Sequence, residues 1–259
     1  MPSSWRTFDQ CGATERWRYL DDGHIEIESR GVPTRPFPQS MDQWREQIDA
    51  ASIRWAVPRA WIAAIVMHES GGKQRACFPS DSSPDGCNHG DGFGLMALLT
   101  TTASSLAERP VSADELRDDP ALNIDLGTKY LRRGLDKSRE HFGTDDIVWA
   151  GVAYNAGSVK CWSKPCPQDG YGVLYGCITD RDGNRISTRY PENLIASVNV
   201  AIENGYDGMA PESIEPGGDS PEPAGDASFL GTLALMIGTA AIGYVVVRHV
   251  RLTPQLRLV

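Results

Sequence analysis

Apolar residues recur at intervals of three and four along residues 44–55. This spacing places Trp44 and Ile48 on one face and predicts an amphipathic helix. Ser40 precedes Gln43 by three residues, which is the spacing of a capping box, so we expect the helix to begin after Ser40.

The next apolar stripe ends on an acidic residue. Ile62, Ile65 and Glu69 occupy positions i, i+3 and i+7, so the predicted helix carries Glu69 on its apolar side. Pro58 suits the first turn of this helix, and Gly71 is typical of its end.

The remaining pattern predicts a mainly α fold of the α+β type. Alternating residues at 24–28 predict a strand or small hairpin in an N-terminal extension, residues 1–39. Residues 158–189 are rich in Gly, Pro and Cys, which favours an ordered loop or a small hairpin with a turn at Asp182-Gly183. Further helices are predicted at 100–106, after a capping box at Ser112 and Glu115, from Asp119-Pro120 to about Arg139, from a cap at Thr144 or Asp145 to Gly157, and at about 191–203.

The composition changes after Gly205, where a predicted domain of residues 40–205 ends. Pro, Gly and acidic residues dominate 206–228 and predict a flexible linker. Residues 229–247 carry no charge and are rich in aliphatic residues, which favours a transmembrane helix over a buried core helix. The tail, 248–259, is basic, so we expect the tail on the inner side of the membrane and the predicted domain on the outer side.

The net charge excludes one class of partner. The formal charge is −9 at pH 7, and this argues against nucleic acid because phosphate binding needs a basic surface. The first ten residues are polar and no apolar segment follows them, so no secretory signal peptide is predicted.

Six cysteines lie in loop-like sequence. An even count in such sequence favours disulfides in an oxidising compartment over reduced thiols, although sequence cannot assign the pairs. Cys77 with Cys87 is the preferred local pair, because it would close the loop after the Glu69 helix.

Glu69 is the leading candidate for chemistry. Burial on an apolar helix face disfavours the charged carboxylate and raises its pKa, and a carboxyl group that is protonated near neutral pH can donate a proton to a leaving oxygen. The alternative is an exposed glutamate at a helix end. Periodicity alone does not choose between the two.

Four motifs in order resemble those of the lytic transglycosylase domain, a lysozyme-like family related to goose-type lysozyme. The resemblance covers about residues 44–204. The motifs lie at 61–72, 92–96, 116–131 and 153–157.

The resemblance implies a two-lobed, mainly helical fold with a glycan cleft and no cofactor. It implies cleavage of the β-1,4 bond between N-acetylmuramic acid and N-acetylglucosamine in peptidoglycan, with 1,6-anhydro ends. Glu69 matches the single catalytic glutamate, first as acid and then as base. The residues that match substrate-binding positions are Ser70, Gly94, Leu95, Met96, Tyr154, Asn155 and Tyr190.

The chain departs from the family pattern after Met96. Ala97 stands where the family has Gln, and Thr100 where it has Pro. The lost amide removes one possible hydrogen bond to substrate, worth about 0.5–1.5 kcal/mol. We therefore expect altered substrate contacts and retained activity.

Two other functions remain open. Lysozyme-type hydrolysis needs a second carboxylate, which Asp81, Asp85 or Asp91 could supply, although these residues suit turns. A non-catalytic glycan-binding anchor is the alternative from another class. Retention of Glu69 and Ser70 argues against it.

Metal binding is not predicted. His68-Glu69 lacks the second histidine of a zinc-protease motif. The segment from Asp81 begins like a calcium loop, but its twelfth position is Gly92 instead of Glu.

The C-terminal anchor and the missing signal pattern resemble virion-associated wall-opening enzymes of phages. The alternative is a cell-encoded enzyme of wall remodelling or of a secretion system. In either case the expected partners are peptidoglycan strands, a lipid membrane at 229–247 and proteins of a virion or envelope complex.

Overall fold

The computed structural model describes residues 4–8, 16–28, 31–74, 77–78, 92–157, 160–161, 178–179 and 189–209. Met1–Glu215 form one compact unit. The second unit, Pro216–Val259, lies outside the described residues, and so do the predicted transmembrane segment and basic tail. Within the described ranges, no helix has the length and apolar character needed to cross a membrane.

The described part of the chain is mainly helical, which confirms the predicted fold class at this level. A 3-10 helix, Gln39–Trp44, precedes α1, and a π-helical turn, Ile202–Tyr206, follows α7. The α-helices are α1 (Arg45–Trp55), α2 (Arg59–Glu69), α3 (Thr100–Ala107), α4 (Ala113–Asp118), α5 (Pro120–Phe142), α6 (Ile147–Ala156) and α7 (Arg189–Ala201).

Short antiparallel strand pairs accompany the helices, and the first is the predicted N-terminal hairpin. In that hairpin Trp17 lies opposite Ile27. Trp17 is fully buried, and its indole Nε1 donates to Asp146 Oδ2 at 2.9 Å, which fixes the hairpin against α6. The pairs are β1 (Trp17–Tyr19) with β2 (Ile25–Ile27), β3 (Cys77–Phe78) with β4 (Gly92–Phe93), and β5 (Lys160–Cys161) with β6 (Ile178–Thr179).

The helix-start signals were right for α4 and wrong for α1. Ser112 and Glu115 form the predicted capping box. Ser40 instead donates its hydroxyl to the main-chain oxygen of Gly71 at 2.7 Å, because it lies in the 3-10 helix that packs against the end of α2. The helix α1 therefore begins without a side-chain cap.

The cap of α6 lies one residue later than predicted. Asp146 accepts from the main-chain nitrogen of Trp149 at 2.9 Å. Asp145 is held away from the cap by Arg132 and Arg139, whose guanidinium groups pair with its carboxylate. Asp146 is fully buried and also accepts from Arg6, so the N-terminal extension is tied to the start of α6.

The predicted cysteine pairs lie largely beyond the described residues. Cys77 is disulfide-bonded. Cys87 lies outside the described residues, so its pairing with Cys77 stays a prediction. The acidic residues proposed as a second carboxylate, Asp81, Asp85 and Asp91, lie in the same undescribed part of the loop.

Two apolar clusters are found among the described residues. The larger contains residues of α1, α2, α5, α6 and α7, including Ile65 and Leu131. The smaller lies between α3, α4 and the start of α5 and includes Phe93 and Leu116. Tyr154 packs against both clusters and therefore marks the place where they meet.

Candidate active site

Glu69 is the last residue of α2, at the point where a buried helix reaches the surface. Residues 62–67 are fully buried and Glu69 is partly exposed. The helix ends at Gly71 and Gly72, both with positive φ. A Cβ at Gly72 would lie 2.7 Å from Ser40 Oγ. A glycine there lets the helix end pack against the 3-10 helix and so sets where Glu69 emerges.

The carboxyl of Glu69 has one described hydrogen-bond partner. Tyr190 donates its hydroxyl to Glu69 Oε1 at 2.8 Å. Burial raises the pKa of Glu69 to about 7, against the smaller lowering effect of the Tyr190 hydrogen bond. At neutral pH a large fraction of Glu69 is therefore protonated and able to act as an acid.

Tyr190 is held in a defined position beside Glu69. It is 7% exposed, and its ring meets His68 edge-on at 4.2 Å between centroids. Burial, and after it the negative charge of Glu69, raises the pKa of the Tyr190 hydroxyl. The hydroxyl therefore stays protonated and remains a hydrogen-bond donor to the carboxyl.

Tyr154 approaches the same carboxyl from α6. Burial and the charge of Glu69 raise the pKa of Tyr154, which places its hydroxyl within electrostatic reach of Glu69. The hydroxyl donates to the main-chain oxygen of Met96 at 2.6 Å. Tyr154 therefore links the Glu69 region to the turn that contains Met96.

The turn at residues 94–97 contributes main-chain atoms, instead of side chains, to the candidate site. Leu95 and Met96 are fully buried, so their side chains belong to the core. Gly94 has a φ of +77°, and a Cβ there would lie 2.2 Å from the main-chain oxygen of Leu116. Only glycine fits this close approach.

Ala97 ends the same turn in a strained conformation. Its φ is +48°, in the left-handed region that residues other than glycine rarely adopt. Its main-chain nitrogen donates to Gly94 at 3.3 Å. The methyl side chain offers no hydrogen bond to a ligand.

Asn123 holds the turn and was missed as a positioning residue. It is fully buried on α5. Its Oδ1 accepts from Met96 N at 2.8 Å, and its Nδ2 donates to the main-chain oxygens of Phe93 at 2.9 Å and Leu116 at 3.1 Å. A polar residue next to the apolar stripe of α5, within one of the recognised motifs, was the available signal.

Ser70 and Asn155 are not joined to the Glu69 carboxyl by any described contact. The Ser70 hydroxyl donates to Val66 O at 2.9 Å and accepts from Gly72 N at 3.1 Å. It therefore satisfies the end of α2, the role expected of a buried hydroxyl at a helix terminus. Asn155 is exposed at the last turn of α6.

An open cavity of about 840 Å³ begins at Tyr154 and runs between α5 and α6. Aromatic residues and charges of both signs line it, including Tyr130, Trp149, Arg133 and Glu140. Across the described residues, no cluster of His, Cys, Asp or Glu side chains is arranged to hold a metal ion.

Part of the chain matches a known family. Residues 46–165, just under half of the 259 residues, match the family model described as the Transglycosylase SLT domain. The match contains Glu69, the turn at 94–97, Asn123 and Tyr154, while Tyr190 lies beyond it.

The similar proteins overlap with only part of this chain. Membrane-bound lytic murein transglycosylase F of Klebsiella pneumoniae is 30% identical over 129 residues, which are 49% of this chain and 22% of that protein. The 70 kDa soluble lytic transglycosylase of Escherichia coli is 24% identical with a TM-score of 0.35, covering 44% of this chain and 17% of that one. An inactive mutant of lytic transglycosylase Slt from Pseudomonas aeruginosa is 20% identical with a TM-score of 0.41, covering 62% and 24%. This chain thus spans about a fifth of the length of the relatives it matches.

Proposed function

We propose that this protein is a peptidoglycan lytic transglycosylase that cleaves the β-1,4 bond between N-acetylmuramic acid and N-acetylglucosamine. The observation that carries the proposal is the carboxyl of Glu69, with a pKa of about 7, inside a segment that matches the Transglycosylase SLT domain. Such a group supplies both forms needed near neutral pH, an acid and a base.

In the proposed reaction, Glu69 first donates its proton to the glycosidic oxygen. The bond from C1 of the muramic sugar to that oxygen breaks, and the N-acetylglucosamine leaves with the proton. The Glu69 carboxylate then takes the proton of the muramic 6-hydroxyl, whose oxygen bonds to C1. The product is a 1,6-anhydro end, no water is consumed, and Glu69 returns to its protonated form.

Tyr190 supports both steps by holding the carboxyl in place. Its hydroxyl contacts Oε1 at 2.8 Å, which leaves Oε2 as the oxygen available to the sugar. Its hydrogen bond also lowers the pKa of Glu69, against the larger effect of burial.

We place the glycan across the junction of the two apolar clusters. Tyr154 and the turn at 94–97 meet there, in agreement with a cleft between two lobes. In this arrangement Gly94, Leu95 and Met96 serve through their main chain. Exposed Asn155 is the side chain in this region that can reach a sugar directly.

The substitution Glu69→Gln tests the assignment of the acid. Glutamine keeps the shape and accepts the Tyr190 hydrogen bond, but it has no proton to donate. We expect purified peptidoglycan to be digested by the natural protein and not by this variant, with Glu46→Gln on α1 as the matched control. Equal digestion by all three proteins would refute the assignment of Glu69 as the acid, and digestion by none of them would leave only a role in glycan binding.

We further propose that residues 229–247 anchor the enzyme in a membrane. The support is a stretch without charged residues, followed by Arg248, Arg251 and Arg257. The relative from Klebsiella is itself named as membrane-bound. Removing 229–259 is expected to move the protein from the membrane fraction to the supernatant, and unchanged fractionation would contradict the anchor.

The setting that we propose is a phage virion, in which the enzyme opens the wall locally during entry. The support is the proposed anchor at 229–247, which would hold a wall-cleaving enzyme at a membrane surface. Mass spectrometry of purified particles is expected to detect the protein, and its absence from them would favour a cell-encoded enzyme.

A further inference from the structure

An arginine from outside the family-matched segment joins the helix that ends in the candidate acid to the last α-helix. Arg35 precedes the matched residues, 46–165. Its Nη2 donates to the main-chain oxygen of Met67 on α2 at 3.0 Å. Its Nη1 donates to Ser197 Oγ on α7 at 3.0 Å. One guanidinium group therefore bridges α2 and α7.

The same guanidinium contacts the side chain next to the acid. Arg35 Nη1 lies 3.2 Å from His68 Nδ1. Arginine only donates, so Nδ1 accepts and His68 is neutral, with its proton on Nε2. Burial, and to a lesser extent the charge of Arg35, lowers the pKa of His68 to about 4.

His68, held by Arg35, in turn contacts Tyr190. The two rings meet edge-on, with 4.2 Å between their centroids, and Tyr190 holds Glu69 through its hydroxyl at 2.8 Å. Arg35 is therefore connected to the Glu69 carboxyl through His68 and Tyr190.

We infer that Arg35 is a positioning residue for Glu69, which it holds against Tyr190 by fixing the last turn of α2 to α7 and by keeping His68 as a neutral acceptor. The inference rests on the proposed function and extends the site into the N-terminal extension. Two helices that each contribute one side of a 2.8 Å contact need a fixed register, and small displacements of reacting groups are costly.

The charge of Arg35 has a second consequence at the site. The described groups in contact with the His68 ring are Arg35 from the N-terminal extension and Tyr190 from α7. Glu69 is the next residue on α2, and Tyr154 from α6 lies within electrostatic reach of Glu69. Both tyrosines are neutral at pH 7. Without Arg35, His68 becomes easier to protonate, although burial, the larger cause, still holds its pKa below the ordinary value.

The test compares Arg35→Gln and Arg35→Lys with Arg45→Gln in the full-length protein. Arg45 is a matched control, since its guanidinium also donates to main-chain oxygens, those of Gly205 and Asn204 beyond the far end of α7. The readouts are kcat and KM on solubilised glycan strands and the NMR titration of His68, whose signal is assigned by its loss in His68→Gln.

We expect Arg35→Gln to lower kcat by about tenfold or more with little change in KM. It should also raise the pKa of His68. Arg35→Lys should restore part of each effect because it keeps the charge, and Arg45→Gln should show none of them.

The inference is overturned if Arg35→Gln leaves both kcat and the His68 titration as they are in Arg45→Gln. The titration needs no substrate, so the two proposals fail separately. A natural protein that is inactive on glycan, in which Arg35→Gln still shifts His68, would refute the proposed function and retain the Arg35 bridge.

Discussion

Replacing Glu69 by glutamine should stabilise the folded protein in a pH-dependent way while it removes activity. Burial raises the pKa of Glu69 from an ordinary 4.5 to about 7. A group with a raised pKa prefers the protonated state when folded, so its contribution to stability is fully present below pH 4.5 and is lost as the pH rises through 7.

The size of the effect follows from the proton affinities. Each pKa unit corresponds to about 1.4 kcal/mol. Ionising Glu69 in the folded protein therefore costs about 3 kcal/mol more than ionising it in the unfolded chain, as an upper value for a partly exposed group. Glutamine accepts the Tyr190 hydrogen bond and never ionises, so it avoids this cost.

Urea unfolding of the natural protein and of Glu69→Gln at pH 4.5 and pH 8 measures the effect. We expect nearly equal free energies of unfolding at the lower pH and an advantage for the variant of up to about 3 kcal/mol at the higher pH. Glu46→Gln controls for the loss of any acidic residue. The raised pKa of Glu69 would be refuted if Glu69→Gln were more stable than the natural protein by the same amount at both pH values. It would also be refuted if the variant were no more stable at pH 8.

Other substitutions probe the groups around the carboxyl. Tyr190→Phe removes a hydrogen bond that lowers the pKa of Glu69, so the alkaline limb of the pH–rate profile should move to higher pH; a shift to lower pH would contradict the assigned contact. Asn123→Ala removes three hydrogen bonds to buried main-chain atoms, and Met96 N and Leu116 O lose the partner described for them, while Phe93 O still accepts from Leu98 N. The free energy of unfolding should fall by about 2 kcal/mol or more, whereas a cost below about 1 kcal/mol would show that the turn finds other partners. Gly94→Ala should unfold at a markedly lower temperature, because the new Cβ would lie 2.2 Å from Leu116 O, while Gly143→Ala meets no atom within 4 Å and controls for the strain of positive φ alone.

Local signals in the sequence were sufficient to predict most of the helices. The stripe that ends on Glu69 predicted α2, and Asp119 with Pro120 predicted the start of α5, where Asp119 accepts from Leu122 N. These features depend on residues three or four positions apart. The predicted caps of α1 and α6 were wrong because Ser40 and Asp145 bind partners farther away in the sequence. Ser40 donates to Gly71, and Asp145 pairs with Arg132.

In the candidate site too, features that depend on nearby residues were predicted, and contacts between distant residues were not. Periodicity predicted that Glu69 continues the apolar face of α2, but it did not decide whether the carboxyl is buried, and the raised pKa was expected only for a buried carboxyl. Its contact with Tyr190 joins residues 121 positions apart, and only the family resemblance suggested it. No short-range pattern could place Arg35 behind His68 or Asn123 beneath the turn, because both contacts arise from helix packing.

The most direct test of the account is the chemical identity of the ends that the enzyme makes. Purified peptidoglycan is digested with the natural protein, and the soluble fragments are analysed by mass spectrometry. The account predicts 1,6-anhydro-muramic ends, which form when Glu69 acts as acid and then as base on the 6-hydroxyl. Ordinary reducing ends would contradict it, since they require a water molecule as the nucleophile.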